Sequence, residues 1–138
     1  ARATLVTGRE VEGRVRFAGR FEHARIPSLL AAFDVGLIPA INEYASPLKL
    51  HEYMAAHLPT VACDQPNLRE VLVGGESALL FPPGDGEAFA DAVLSLARDR
   101  ELRARLGARA RATIEERDLT WRGNAQRVVT AAETSIQR

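Results

Sequence analysis

Ser46-Pro47-Leu48-Lys49-Leu50-His51-Glu52-Tyr53-Met54-Ala55-Ala56-His57-Leu58-Pro59-Thr60-Val61-Ala62-Cys63 reads as a loop that turns into a helix, a sharp stop and a short buried strand. Pro47 suits the first helical position, where a missing N–H costs nothing and the fixed φ is already helical. The next backbone N–H groups have no intrahelical partner, and the helix dipole adds partial positive charge, so the backbone alone makes an anion site. Lys49 sits in this first turn, and Glu52 follows three residues later on the same face. A ligand carrying both a phosphate and hydroxyls needs such a pair.

The chain around this stretch has 138 residues, 46% of them hydrophobic, which allows one substantial core rather than two. Lys+Arg and Asp+Glu both total 18, so the formal net charge is zero. That argues against a domain whose main task is holding nucleic acid, which needs a basic surplus. The single Cys63 excludes a disulfide framework within the chain and fits a reducing compartment, hence a cytoplasmic setting. No apolar run approaches the ~20 residues of a membrane span. The chain starts at Ala1 rather than Met, as an excised piece of a longer protein would. Of the 18 basic residues one is Lys and the other 17 are Arg; that Lys is Lys49.

Periodicity orders the rest of the chain. Residues 1 to about 12 lack a clean period and fit the tail of a helix. Val15-Arg16-Phe17-Ala18, closed by Gly19, reads as a short strand and turn. Ile26, Leu29, Leu30 and Phe33 recur at helical steps, with Pro27 tolerated in the first turn. Val35-Gly36-Leu37-Ile38, ended by Pro39, reads as a buried strand, and residues 39–46 as a polar loop. Thr60–Cys63 is the next buried strand. Asn67 is expected to cap a short helix through Leu68, Val71 and Leu72, ended by Gly74-Gly75. Ala78-Leu79-Leu80-Phe81 is a further strand. Asp85 caps a helix with the face Phe89, Val93 and Leu96; another follows near Glu101 with Leu102, Leu106, Ala110 and Ile114 aligned. A last helix starts after Thr120 and carries Trp121, Val128, Val129 and Ala132.

Strands alternating with helices imply an α/β fold with a parallel sheet and right-handed crossovers. Ligands of such sheets sit beyond the strand carboxyl ends. Those ends carry Gly19-Arg20, Pro39 to Ser46, Asp64 to Asn67 and Pro82 to Asp85. The opening stretch lies at one of them.

These residues, in this order, resemble retaining glycosyltransferases of the group 1 type, which have two Rossmann-like domains (the GT-B architecture) and use nucleotide-diphosphate sugars. Ser46 to Ala62 resembles the donor-binding signature. Val15-Arg16-Phe17-Ala18-Gly19, Phe33-Asp34-Val35-Gly36-Leu37-Ile38-Pro39, Leu68-Arg69-Glu70-Val71-Leu72, Leu79-Leu80-Phe81-Pro82-Pro83-Gly84-Asp85 and the late Trp121 are similar to further pieces in the same order. The resemblance implies a Rossmann-like parallel sheet with flanking helices, one half of a GT-B enzyme, beginning after that half's first strands. Residues 1–138 would then form one partial nucleotide-sugar domain, the C-terminal or donor half. Residues 120–138 would be a helix reaching towards an acceptor domain that lies N-terminal to this chain.

The implied activity is sugar transfer in bacterial glycan biosynthesis, to a glycan, lipid or small-molecule acceptor, with no cofactor, metal or nucleic acid. The fragment alone is not expected to be active. The backbone N–H groups of Leu48 and Lys49 would hold the donor's distal phosphate, next to Ser46, and Glu52 would accept from the ribose hydroxyls. Arg20 and Phe21 fall where the nucleobase packs. Tyr44 stands where family members often carry a sugar-contacting Glu, with Glu43 one place off. His57 replaces the usual helix-stop glycine, and Ser77-Ala78 a glycine before the last strand.

Other readings stay open beside this one. Glu52 could be an ordinary ion-pair partner of Lys49, and Arg20 a solvated loop residue. The domain could be a non-catalytic donor-like binding or assembly module, or belong to an NDP-sugar epimerase. His23, His51 and His57 do not form a metal set, because residues six apart on a helix face different sides. Cys63 reads as an inert buried thiol. The seven Arg residues from Arg98 to Arg117 read as solvated helix faces with mixed ion pairs, or as a patch peripheral to the inner membrane. A sheet lacking its first strands exposes an edge, which homo-oligomerisation or a further segment would cover.

Overall fold

The computed structural model describes residues 19–42 and 44–136. Residues 23–25 form a 3-10 turn that runs into α1 (Ile26–Leu30). Then come β1 (Gly36–Ile38), α2 (Leu48–Ala55), β2 (Thr60–Cys63), α3 (Pro66–Arg69) and β3 (Leu79–Phe81). Three helices follow without intervening strands: α4 (Gly86–Arg98), α5 (Arg100–Glu116) and α6 (Trp121–Ile136). The strands are parallel in the order β1-β2-β3, with Leu37 opposite Val61 and Val61 opposite Leu79. This is the α/β parallel sheet expected from the alternating pattern. The expected strand at Val15–Ala18 and the helix tail before it lie outside the described residues.

β2 is buried along its whole length, and its alternating side chains separate two cores. Ala62 faces Ile38, Leu50, Met54, Leu68 and Ala110, the side of α2 and α3. Val61 and Cys63 face Phe81, Leu96 and Leu106, the side of α4. α5 serves both, through Leu106 on one side and Ala110 and Ile114 on the other. Leu50, Met54 and Leu68 are wholly buried, so truncating any of them to Ala should cost about 2–5 kcal/mol.

The sharp stop after α2 is a Schellman turn. The Leu58 N–H donates to Tyr53 O at 2.9 Å and the His57 N–H to Met54 O at 3.1 Å. His57 takes the left-handed conformation this requires, with φ 57°, as expected for a non-glycine at that place. α5 then crosses this turn so closely that a Cβ on Gly107 would lie 2.2 Å from the His57 carbonyl oxygen.

Asp85 caps its helix as expected, and Asp99 and Thr120 cap the two that follow. Asp85 accepts from Ala88 N at 2.9 Å, Asp99 from Leu102 N at 2.8 Å, and Thr120 Oγ1 from Gly123 N at 2.9 Å. Three expectations need correction. α1 ends at Leu30 in a turn, leaving Phe33 48% exposed. β1 buries Gly36 and Ile38, but Leu37 is 41% exposed, because among the described strands β1 pairs on one side only. Asn67 does not cap α3: Gln65 is the N-cap, Pro66 opens the helix, and the Asn67 side chain is used elsewhere. The apolar residues of α6, a helix expected to reach beyond this domain, stay largely open, with Trp121 and Val128 80% and 63% exposed.

The arginines of α5 are also more than a solvated face. Arg105 donates to Gly75 O, Arg111 to Ala55 O and Arg117 to Glu70 O, satisfying carbonyls at the ends of other segments. Arg109 and Arg111 also pair with Glu116 and Glu115, each at 2.8 Å. No described helix is long and apolar enough to cross a membrane.

Candidate functional site

The start of α2 lies just beyond the loop that leaves the carboxyl end of β1. Pro47 is not the first helical residue but the N-cap, with φ −81° and ψ 76°. That is inverse γ-turn geometry, and the Leu48 N–H accordingly turns back to Ser46 O at 3.0 Å. The Lys49 N–H has no acceptor among the described residues, whereas Leu50 N–H donates to Pro47 O at 2.9 Å. The His51 ring presents Nδ1 to the same Pro47 carbonyl at 3.2 Å; a carbonyl only accepts, so this nitrogen carries the proton. His51 is thus packed back onto the helix start and caps none of its free amides.

Lys49 and Glu52 are both exposed, and neither forms an ion pair among the described residues. The alternative in which Glu52 serves Lys49 as a surface partner is therefore not realised. Glu52, Ser46 and Leu48 line an open cleft of about 960 Å³ between α2 and the α5–α6 junction. Trp121, Asn124 and Arg127 form its far wall, and His23 also borders it. Lys49, Tyr44, Arg20 and Phe21 do not line it. Tyr44 is 90% exposed, its hydroxyl accepting from Asn42 Nδ2 at 3.2 Å. Phe21 is half-buried with the Arg25 guanidinium 6.0 Å from its ring centroid, and Arg20 is exposed. Glu43 lies outside the described residues.

The wall from α6 was not legible beforehand. Trp121 resembles a family residue, but Asn124 and Arg127 carry no local signal that they border the same cleft as a helix some 70 residues earlier. The Arg127 guanidinium is held by Asp118 O at 3.2 Å, at a residue that itself has φ 44°. Gly123 makes this tight return feasible, since a Cβ there would lie 2.3 Å from Asp118.

Charge around the site follows from its surroundings. Burial, and next the negative charge of Glu52, push the Tyr53 phenol up, so it stays a neutral donor beside the helix face. The Asp64 carboxylate, on the turn after β2, is held below the usual carboxylate range chiefly by hydrogen bonds from Arg69. Burial and the neighbouring Asp64 raise the Cys63 thiol, which makes it a poor nucleophile. No cluster of three metal-ligating side chains occurs among the described residues. Among the described residues the arrangement offers a helix start with one free amide, an exposed cation, a carboxylate over a cleft and an aromatic wall. It can bind an anion with hydroxyls attached; it contains no evident nucleophile or acid–base pair.

Comparison with known proteins adds identity to this geometry. Residues 2–99 match the family described as "Glycosyl transferases group 1". The chain is 34% identical over 120 residues to a phosphatidyl-myo-inositol mannosyltransferase of Mycobacterium leprae (strain TN), covering 87% of this chain and 32% of that protein. It is 32% identical over 112 residues to an N-acetyl-alpha-D-glucosaminyl L-malate synthase of Bacillus anthracis, covering 81% and 29% respectively. Among solved structures, a sucrose-phosphate synthase from Thermosynechococcus elongatus superposes with TM-score 0.82 at 23% identity, over 93% of this chain and 32% of that one. The fold is thus that of a Rossmann-like half of a GT-B enzyme. The chain spans about a third of the length of these relatives.

Proposed function

The chain belongs to the group 1 glycosyl transferases, and we propose that it is the donor-nucleotide half of an enzyme that moves a sugar from a nucleotide-diphosphate sugar to an acceptor. The observation that carries this reading is the uncommitted chemistry at the start of α2. Among the described residues the Lys49 amide has no acceptor, Lys49 and Glu52 have no ion-pair partner, and Glu52 opens onto the cleft. Leaving-group diphosphate would sit on the helix start, held by the Lys49 amide and ammonium. Charge that develops on the departing phosphate is stabilised there by groups already in place. Glu52 would accept from both ribose hydroxyls, with Ser46 beside the phosphate, Arg20 and Phe21 towards the base, and Tyr44 towards the sugar.

The acceptor would be held by a second, N-terminal domain. The exposed Trp121, Val128 and Val129 of α6 support residues 120–138 reaching towards it. The relatives' names span lipid and small-molecule acceptors, so the acceptor class is open, and contact with the inner membrane's cytoplasmic face fits either. Retention of anomeric configuration follows from the family resemblance.

The test is calorimetric titration of this chain with UDP and with GDP, then of Glu52→Ala. Removing a carboxylate that accepts from ribose should weaken diphosphonucleoside binding by roughly 10- to 100-fold, since hydrogen bonds to charged groups are worth about 1.5–3 kcal/mol. Unchanged affinity in Glu52→Ala removes that residue from the site. Sugar transfer by the intact protein from one of the corresponding NDP-sugars then tests the activity itself.

A further inference from the structure

The loop between β1 and α2 carries Ser46 and launches the helix that would bind the donor, yet its own backbone does little to hold it. Among the described residues, its only internal backbone bonds are Ala45 N to Asn42 O at 2.9 Å and the tight Leu48 N to Ser46 O turn. What ties it down comes from the turn after β2. The Gln65 side chain pairs with both backbone groups of Ile41: Ile41 N donates to Oε1 at 3.0 Å and Nε2 donates to Ile41 O at 2.9 Å. Such pairing imitates a neighbouring strand, and it fixes the amide's orientation, because a flipped amide would oppose like groups. Two residues on, Asn67 Nδ2 donates to both Asn42 O and Ala45 O at 3.0 Å, while Oδ1 accepts from Leu68 N.

That turn is itself rigidly anchored. Asp64 N donates to Phe81 O at 2.8 Å, Leu68 is wholly buried, and Arg69 closes onto Asp64. The four clamp bonds therefore run from a fixed turn to a loop that is otherwise loosely bound. They end one residue before Ser46. This also explains why Asn67 is not a helix cap: its amide is committed to the loop.

We infer that Gln65 and Asn67 are positioning residues of the donor site, holding Ile41, Asn42 and Ala45 so that Ser46 and the first amides of α2 meet the donor phosphate. The inference rests on the donor reading above, in that the loop's ligand is a diphosphate. It predicts that the clamp matters for the phosphate end and little for the nucleoside end.

The test uses Gln65→Met, which keeps the side-chain volume and removes both bonds, and Asn67→Ser, which removes the reach to both carbonyls. Two measurements are made on each. Amide hydrogen exchange should accelerate at Ile41, Ala45 and Leu48 by about tenfold, the scale of one or two lost hydrogen bonds, while amides of β2 hold their protection. Titration with UDP and GDP should show about tenfold weaker binding, with uridine and guanosine affinities within about twofold of the parent. Unchanged exchange across 41–48 overturns the clamp, and so does an equal loss of nucleoside and diphosphate affinity, which is what general destabilisation produces. If the parent binds neither UDP nor GDP, the donor reading fails, and the exchange data still decide whether Gln65 and Asn67 hold the loop.

Discussion

Replacing Gly107 by Ala tests the joint on which the whole α2 side depends. A Cβ at this position would stand 2.2 Å from the His57 carbonyl oxygen and 3.1 Å from its carbon. Both are backbone atoms, and they cannot swing aside. His57 is held by the turn at the end of α2, and the next residue, Leu58, is only 2% exposed. Relief therefore requires α5 and α2 to separate by about 1 Å, the gap between this approach and ordinary van der Waals contact. Overpacking of this kind costs about 1–3 kcal/mol, and a backbone clash belongs at the upper end. Alanine returns about 1 kcal/mol through its better helix propensity. The net loss should be about 2 kcal/mol, or a fall of about 6–10 °C in melting temperature for a chain of this size. Urea denaturation followed by circular dichroism, with the thermal melt beside it, measures this. As a control, Ala108→Gly, exposed on the same helix, should cost about 1 kcal/mol from propensity alone. If Gly107→Ala is neutral or stabilising, α5 does not cross the α2 turn as closely as described, and the reasoning about that joint fails.

The neighbouring residue gives the opposite sign. His57→Gly removes a left-handed non-glycine and should stabilise by about 0.5–1 kcal/mol after the unfolded chain's added freedom is counted; a loss in the urea midpoint would show that the imidazole contributes contacts instead. Lys49→Ala should weaken UDP or GDP binding by about tenfold and leave nucleoside binding nearly intact, and equal losses in calorimetry would count against a phosphate role. The Asp64–Arg69 pair should show itself in pH dependence. Arg69 depresses the folded pKa of Asp64, so the pair's contribution is complete above the unfolded value of about 3.9 and is lost as pH falls through the lower folded value. The gap in urea midpoint between the parent and Asp64→Asn should hold steady above about pH 5 and close below about pH 4; a gap that ignores pH would remove the ion pair as its cause.

Features whose cause lies within a few residues were legible from the chain. The β2 strand announced itself as a short buried run, Asp85 as a cap, and Thr120 as the place where the last helix starts. His57, standing before Leu58-Pro59, marked a left-handed stop. The ordered signature pieces placed Lys49 and Glu52 at a strand's carboxyl end, and the structure sets both there. Ser46 and Glu52 do share a cleft, but Lys49, Tyr44, Arg20 and Phe21 lie off it, because spacing along a chain says which helix a residue is on and not what faces it across space.

Whatever depends on partners far along the chain belonged to the tertiary structure. Gln65 and Asn67 bond to groups 22 to 25 residues away, and an amide side chain gives no local sign of which carbonyl it will find. The arginines of α5 looked like a solvated face because their carbonyl acceptors sit on other segments. Asn124 and Arg127 reach the cleft only because the turn at Asp118 brings the start of α6 to face α2 across it. Thus short-range periodicity and capping laid out the elements and their order, and the ordered motif pieces carried the family resemblance. Only the packed fold decided how the loop before α2 is held and which side chains complete its cleft, since those depend on contacts that exist only once distant segments meet.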